Sequence, residues 1–150
     1  MSLLREIVER VGRPCAVGTA AGPANALDQT AEVARRVAQV APLEATPRTL
    51  SGVADVFVEL GAAQLPEVDH WLREIARRLA SGPDLVTTLD AYYRADMNRL
   101  AAAAVLHIHP RTLDYRLQRV RELTNVDPGS VRGVRILSTT VARVLAGAWT

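Results

Sequence analysis

NRLAAAAVLHIHPRTLDYRLQRVREL, from Asn98 to Leu123, is the stretch around which the chain is organised. It reads as two short helices joined by a tight turn. The first is alanine-rich and runs from about Arg99 to Leu106, with Asp96 or Asn98 as its cap. His107-Ile108-His109 makes the turn. Pro110 takes the first position of the second helix, where its missing N–H would have had no partner in any case. That helix extends to about Leu123. Its apolar residues Leu113, Leu117 and Val120 are spaced four and then three apart, so they share one face. The opposite face carries Arg111, Tyr115, Gln118 and Glu122, with Thr112 and Arg119 beside it.

This is the arrangement a helix-turn-helix requires. The small side chains of Ala102 and Ala103 let the two helices approach closely. Ile108 can plug the turn into the core, and Leu113 and Leu117 anchor the second helix from below. Its outward face is then free to enter a major groove, with Arg, Thr and Tyr available for bases and phosphates. An ordinary antiparallel helix pair would show the same periodicity, so the pattern alone does not separate the two.

The residues themselves go further. Ala102-Ala103, followed by Leu106-x-Ile108-His109-Pro110-x-Thr112-Leu113-x-Tyr115-Arg116-Leu117, closely resembles the C-terminal helix-turn-helix of PucR/CdaR-type transcriptional regulators. TTLDAYY at Thr87–Tyr93 is similar to the helix that precedes it in that family. The resemblance runs from about Leu79 to Ala146. It implies a bacterial, DNA-binding regulator of transcription. Two positions depart from the family pattern. Arg111 stands where asparagine is usual, and Asp114 where a basic or neutral residue is common. Both lie on or beside the exposed side, so they bear on the target sequence and not on the fold.

A length of 150 residues suits one ordinary domain or two small ones. With 49% hydrophobic but 4% aromatic residues, the core must be built from Val, Leu, Ile and Ala. All 18 basic residues are arginine, whose planar fork can pair bidentately with guanine or phosphate. The net charge of +2 says little, but its distribution says more. Residues 1–96 carry 10 Arg against 13 acids, a balance of −3, and residues 97–150 carry 8 Arg against 3 acids, a balance of +5. The local excess favours a polyanion partner over a merely solvated arginine surface. Cys15 is alone, which excludes an intramolecular disulfide and a cysteine-built zinc site, and it reads as a buried structural thiol. Met1–Arg10 is charged throughout, unlike a signal peptide, and no segment approaches the ~20 apolar residues of a membrane span. A cytoplasmic protein is expected.

Upstream, Ser2 can cap a first helix with Leu3, Leu4, Ile7, Val8 and Val11 on one face and Gly12 as its stop. Pro14 to Gly18 is a short candidate strand. Ala24 to Val40 is helical, lined by Leu27, Ala31, Ala34, Val37 and Ala38, and ended by Pro42. Gly52 to Leu60, GVADVFVEL, has the β-branched content and alternation of a second strand. Pro66 opens a helix with Val68, Leu72, Ile75, Ala76 and Leu79 inward. Asp84 can cap the next, with Leu85, Leu89, Tyr92 and Tyr93 inward. Asp127-Pro128 begins the last, where Val131, Val134, Leu137, Val141, Val144 and Leu145 repeat at three and four. The early part resembles the second half of the degenerate GGDEF-like domain that often precedes the DNA-binding domain in PucR/CdaR-type regulators.

Catalytic machinery is not expected. Gly18–Gly22 lacks the Gly-Lys-Ser/Thr of a phosphate loop. Ser51-Gly52-Val53 and Ala54-Asp55 do not supply a cyclase signature, and His107 and His109 have no third ligand for a metal. No cofactor is implied. The fold expected is mainly α: a helical PucR-type helix-turn-helix DNA-binding domain over residues 66–150, preceded by a small partial α/β segment with two short strands over residues 1–65. The partners expected are double-stranded DNA and a second copy of the chain. An effector, if any, is expected to be sensed by a region absent from this chain. Arg111 and Tyr115 are the candidate base-reading residues. Thr112, Arg116 and Arg119 are the phosphate candidates, although Arg116 borders the core face and could instead hold the helices together by a salt bridge. His109 is a cap or a phosphate contact. The alternative is a protein–protein interaction or dimerisation module that binds no DNA, a reading that Asp114 favours.

Overall fold

A computed structural model describes residues 6, 10, 12–44 and 50–149. The chain divides into two compact units, residues 1–66 with 145–150, and residues 67–144. Seven α-helices of three residues or more lie among the described residues: α1 (Leu27–Val40), α2 (Val53–Ala63), α3 (Pro66–Ala80), α4 (Leu85–Arg94), α5 (Arg99–Val105), α6 (Pro110–Thr124) and α7 (Val131–Leu145). None is long and apolar enough to cross a membrane.

The first unit corrects the expectation of two strands. Pro14–Gly18 makes isolated bridges only, Cys15 antiparallel to Glu44 and Gly18 parallel to Ser51. Val17 C=O accepts from the Ser51 N–H at 2.9 Å, and the Thr19 N–H donates to Ser51 C=O at 2.8 Å. Gly18 runs so close to α1 that an added Cβ would lie 2.1 Å from the Ala34 carbonyl oxygen, so only glycine fits there. Gly52–Leu60, expected as a strand, is helical from Val53 onward. Two features override its β-branched composition. The Asp55 carboxylate accepts from the Gly52 N–H at 2.8 Å and starts the helix. Val56, Leu60 and Ala63, spaced four and three apart, then meet one small core with Val37, Val40, Ala41 and Ala16. The helix is imperfect, with a non-helical Val56 (φ −136°, ψ 24°).

Residues 24–40 form a 3₁₀ turn at Ala24–Ala26 and then α1. Only the C-terminal half of α1 is covered. Val37 and Val40 are buried, whereas Leu27 is 66% exposed and Ala31 is exposed. The helix expected from Ser2, with Leu3, Leu4, Ile7, Val8 and Val11, lies outside the described residues. Gly12 has φ +64°, the left-handed conformation suited to a helix stop.

The second unit follows its sequence pattern closely. Leu72, Ile75, Ala76 and Leu79 of α3 are buried, as are Leu85, Leu89 and Tyr92 of α4. Ala102 and Ala103 of α5, Leu113, Leu117 and Val120 of α6, and Leu137 and Val141 of α7 complete the core. α4 packs on both α5 and α6, and α5 on α6. A half-buried ion pair, Arg143 Nη2 to Asp69 Oδ1 at 2.6 Å, ties α7 to α3. The last helix starts later than Asp127-Pro128. Asp127 Oδ1 accepts from the Gly129 N–H at 2.9 Å, which closes a turn, and Ser130 Oγ accepts from the Gly133 N–H at 2.9 Å as the cap. Val131 is consequently exposed, not part of the inner stripe.

Candidate nucleic-acid interface

α5 begins at a capped end. Asn98 Oδ1 accepts from the N–H groups of Leu100 and Ala101, both at 3.1 Å. The helix closes at Leu106. His107 takes a left-handed backbone (φ 54°), and the Ile108 N–H reaches back to Ala103 C=O at 3.0 Å. The chain thereby reverses in three residues, and Ile108 is half-buried beneath the turn.

His109 is the N-cap of α6, and its Nδ1 accepts from the Arg111 N–H at 3.2 Å. An imidazole that accepts at Nδ1 carries its proton on Nε2 when neutral, so an N–H donor remains beyond the cap. Pro110 occupies the first turn as expected. Leu113, Leu117 and Val120 hold α6 to the core, and this fixes which side faces outward. Arg111, Thr112, Tyr115, Gln118, Arg119 and Glu122 are all exposed, Tyr115 by 70%.

The outward side has two different halves. In the first two turns, the Arg111 side chain has no hydrogen-bond or ion-pair partner among the described residues. Further along, the side chains pair with one another. Glu122 accepts from Gln118 Nε2 at 3.3 Å and from Arg119 Nη1 at 3.1 Å. These pairs are exposed, so they are weak and open to exchange for a phosphate. Arg119 is thus placed outward as expected, although it is partnered in the free protein.

Arg116 is placed differently from the other candidates. Its side chain is 18% exposed, and its Nη2 lies 2.8 Å from Asp84 Oδ2. Nη1 donates to Thr88 Oγ1 at 3.2 Å. Of its two readings, phosphate contact or salt bridge, the contact present is the salt bridge. Asp84 is not the side-chain cap of α4 that its position suggests. A second pair was not anticipated from sequence: Arg99 Nε lies 3.2 Å from Asp114 Oδ1, bridging α5 and α6. The acid that departs from the family pattern is therefore paired. The salt bridge of Arg116 was one of its two readings from sequence, but neither partner, Asp84 nor Arg99, had a local signal, since each belongs to another part of the chain.

Two buried-end helices held across a three-residue turn, with the second capped and outward-facing, define a helix-turn-helix domain. Residues 85–140 match the model of the PucR C-terminal helix-turn-helix domain. An uncharacterized protein of Mycobacterium tuberculosis is 40% identical over 65 residues, covering 43% of this chain and 16% of that protein. An uncharacterized protein of Mycobacterium bovis matches to the same extent. The carbohydrate diacid regulator of Escherichia coli is 40% identical over 68 residues, which covers 41% of this chain and 18% of the regulator. The chain thus spans less than a fifth of the length of these curated relatives.

Proposed function

We propose that this chain is a sequence-specific DNA-binding portion of a bacterial transcriptional regulator, with α6 lying in the major groove. The observation that carries the reading is the first half of α6. It stands clear of the core, with Arg111, Thr112 and Tyr115 exposed and the Arg111 guanidinium unengaged among the described residues. A helix of this type enters a groove by its N-terminal end, so these side chains meet base edges first. Arg111 and Tyr115 are assigned to bases, and Thr112, Arg119 and the Nε2 side of His109 to phosphates. Arg116 is withdrawn from the phosphate group, because its fork is already occupied. The balance of +5 over residues 97–150 supplies the long-range attraction.

Asp114 is the residue that speaks for a protein-interaction module instead, and Arg99 neutralises it. The proposal further takes the protein as a cytoplasmic homodimer, as befits the two-fold operators such motifs usually read. Its relatives are far longer than the matched segment, and effector sensing is assigned to sequence outside it. Residues 66–150 are taken as the DNA-binding domain. The remnant of a GGDEF-like domain read from residues 1–65 loses its two strands, and with them the pattern that supported it.

Binding to random duplex DNA across a salt series tests the function. The expected result is a linear fall of log affinity with log salt, as counterions are released from neutralised phosphates. No binding to duplex DNA at low salt would replace this reading with the interaction module.

A further inference from the structure

We infer that Asp84, outside the helix-turn-helix, is a positioning residue that sets the angle and register of α6 through Arg116. This inference rests on the DNA-binding reading. Asp84 occupies the N-cap position of α4, where an aspartate ordinarily accepts from its own helix's N–H groups. Here it makes no such cap, and its backbone is left-handed (φ 54°, ψ 21°), a conformation that aspartate takes more readily than most residues with a Cβ. Its carboxylate, unused by its own helix, lies 2.8 Å from Arg116 Nη2.

The second half of the clamp is Thr88, which is fully buried and whose Oγ1 accepts from Arg116 Nη1 at 3.2 Å. The two acceptors are one turn apart on the start of α4, and the two donors belong to one rigid planar fork. Such a fork resists both sliding and rolling of the helix that carries it, which a single-point ammonium would not. Arg116 immediately follows Tyr115 and lies one turn beyond Thr112 and Arg111. Any roll of α6 at Arg116 therefore displaces the side chains assigned to the groove.

The experiment uses the whole chain, a duplex selected by the wild type from a random pool, and a random-sequence duplex of equal length. Asp84→Asn keeps the shape and one acceptor but removes the charge. Arg116→Lys keeps the charge but removes the fork. Each is expected to weaken binding to the selected duplex about ten-fold, the scale of one well-made base contact. Affinity for the random duplex should stay within about two-fold of wild type, with the salt slope unchanged. Amide hydrogen exchange in the first two turns of α6 should quicken in both variants without DNA. Three results overturn the inference while leaving the DNA reading intact. One is unchanged discrimination between the duplexes. Another is equal strengthening on both duplexes in Asp84→Asn, which would make Asp84 a mere repellent that withholds Arg116 from phosphate. The third is a loss of random-duplex affinity with a reduced salt slope in Arg116→Met, which would make Arg116 a phosphate ligand. If Asp84→Asn melts early, Arg116→Lys carries the comparison. A wild-type chain that binds neither duplex would remove the DNA reading and the positioning role together.

Discussion

Arg111 stands on the first turn of α6, directed away from Leu113 and Leu117, with its backbone N–H held by the His109 cap. Its guanidinium has no partner among the described residues, so it can serve recognition without a structural cost. Arg111→Ala should leave the melting temperature unchanged. A bidentate arginine–guanine contact is worth roughly 1–3 kcal/mol, so binding to a selected operator should weaken about ten- to a hundred-fold. Random duplex should lose much less, and competition titrations on both duplexes check this. An equal loss on both would make Arg111 a phosphate contact. Leu117→Ala should behave in the opposite way. Leu117 is buried in the centre of the stripe, and truncation of such a leucine costs about 2–5 kcal/mol. Urea unfolding should register that loss, and an unchanged midpoint would mean that α6 faces the other way. At this scale the sequence was legible wherever the cause was local. The buried stripe, the Asn98 cap and the His109 cap all follow from spacings of two to four residues. The partners of Arg116 and Asp114 were not, because the acid that engages Arg116 lies 32 residues away and on another helix.

Among the elements, α2 shows where local pattern gives out. Val53, Val56 and Val58 favour an extended chain by composition, yet Val56, Leu60 and Ala63, spaced four and three apart, also fit the inner face of a helix. The choice was made by the Asp55 contact to Gly52 and by the surface of α1, neither of which periodicity reveals. The start of α7 departs from the sequence expectation by a related route. Asp127 has the right chemistry for a cap but spends it on the Gly129 turn, leaving the cap to Ser130. The same corner yields a sharp expectation. A Cβ on Gly133 would lie 1.7 Å from the Asp127 carbonyl oxygen, a backbone atom with no freedom to yield. Gly133→Ala should destabilise by about 1–3 kcal/mol or more through forced displacement of the turn. Gly61→Ala, with open space around its Cβ position, is the control and should cost nothing comparable. Thermal melts of the two variants side by side decide it.

For the whole molecule, burial is unevenly shared. Among the described residues, the first unit buries Val37, Val40, Ala41, Val56 and Ala62, while the second buries a continuous set from Leu72 to Val141. The first unit also leaves large apolar side chains in water, including Leu27, Phe57 at 65% and Leu65 at 54%. The expectation of a homodimer rests on the two-fold operators that helix-turn-helix proteins usually read. Light scattering at micromolar concentration should give twice the chain mass of 16.2 kDa. A monomer under those conditions would leave pairing to DNA or to a further segment of a longer regulator.

The Tyr93 hydroxyl, which donates to Pro128 C=O at 3.2 Å, ties a share of the protein's stability in alkali to one proton. Burial, together with the neighbouring Tyr92 and Asp127, pushes the Tyr93 ionisation well above its ordinary value of 10.0. The folded chain thus keeps a proton that the unfolded chain releases near pH 10.0. Where the unfolded state binds fewer protons, stability falls as pH rises. The contribution is complete below that pH and drains away as the solution becomes more alkaline, until the folded phenol itself ionises. Tyr93→Phe forgoes the bond to Pro128 and should be less stable at neutral pH. Above pH 10.0 its stability should decline less steeply than that of the wild type, as read by urea midpoints at successive pH values. Parallel declines would show that the hydroxyl is exposed to hydroxide in the folded state.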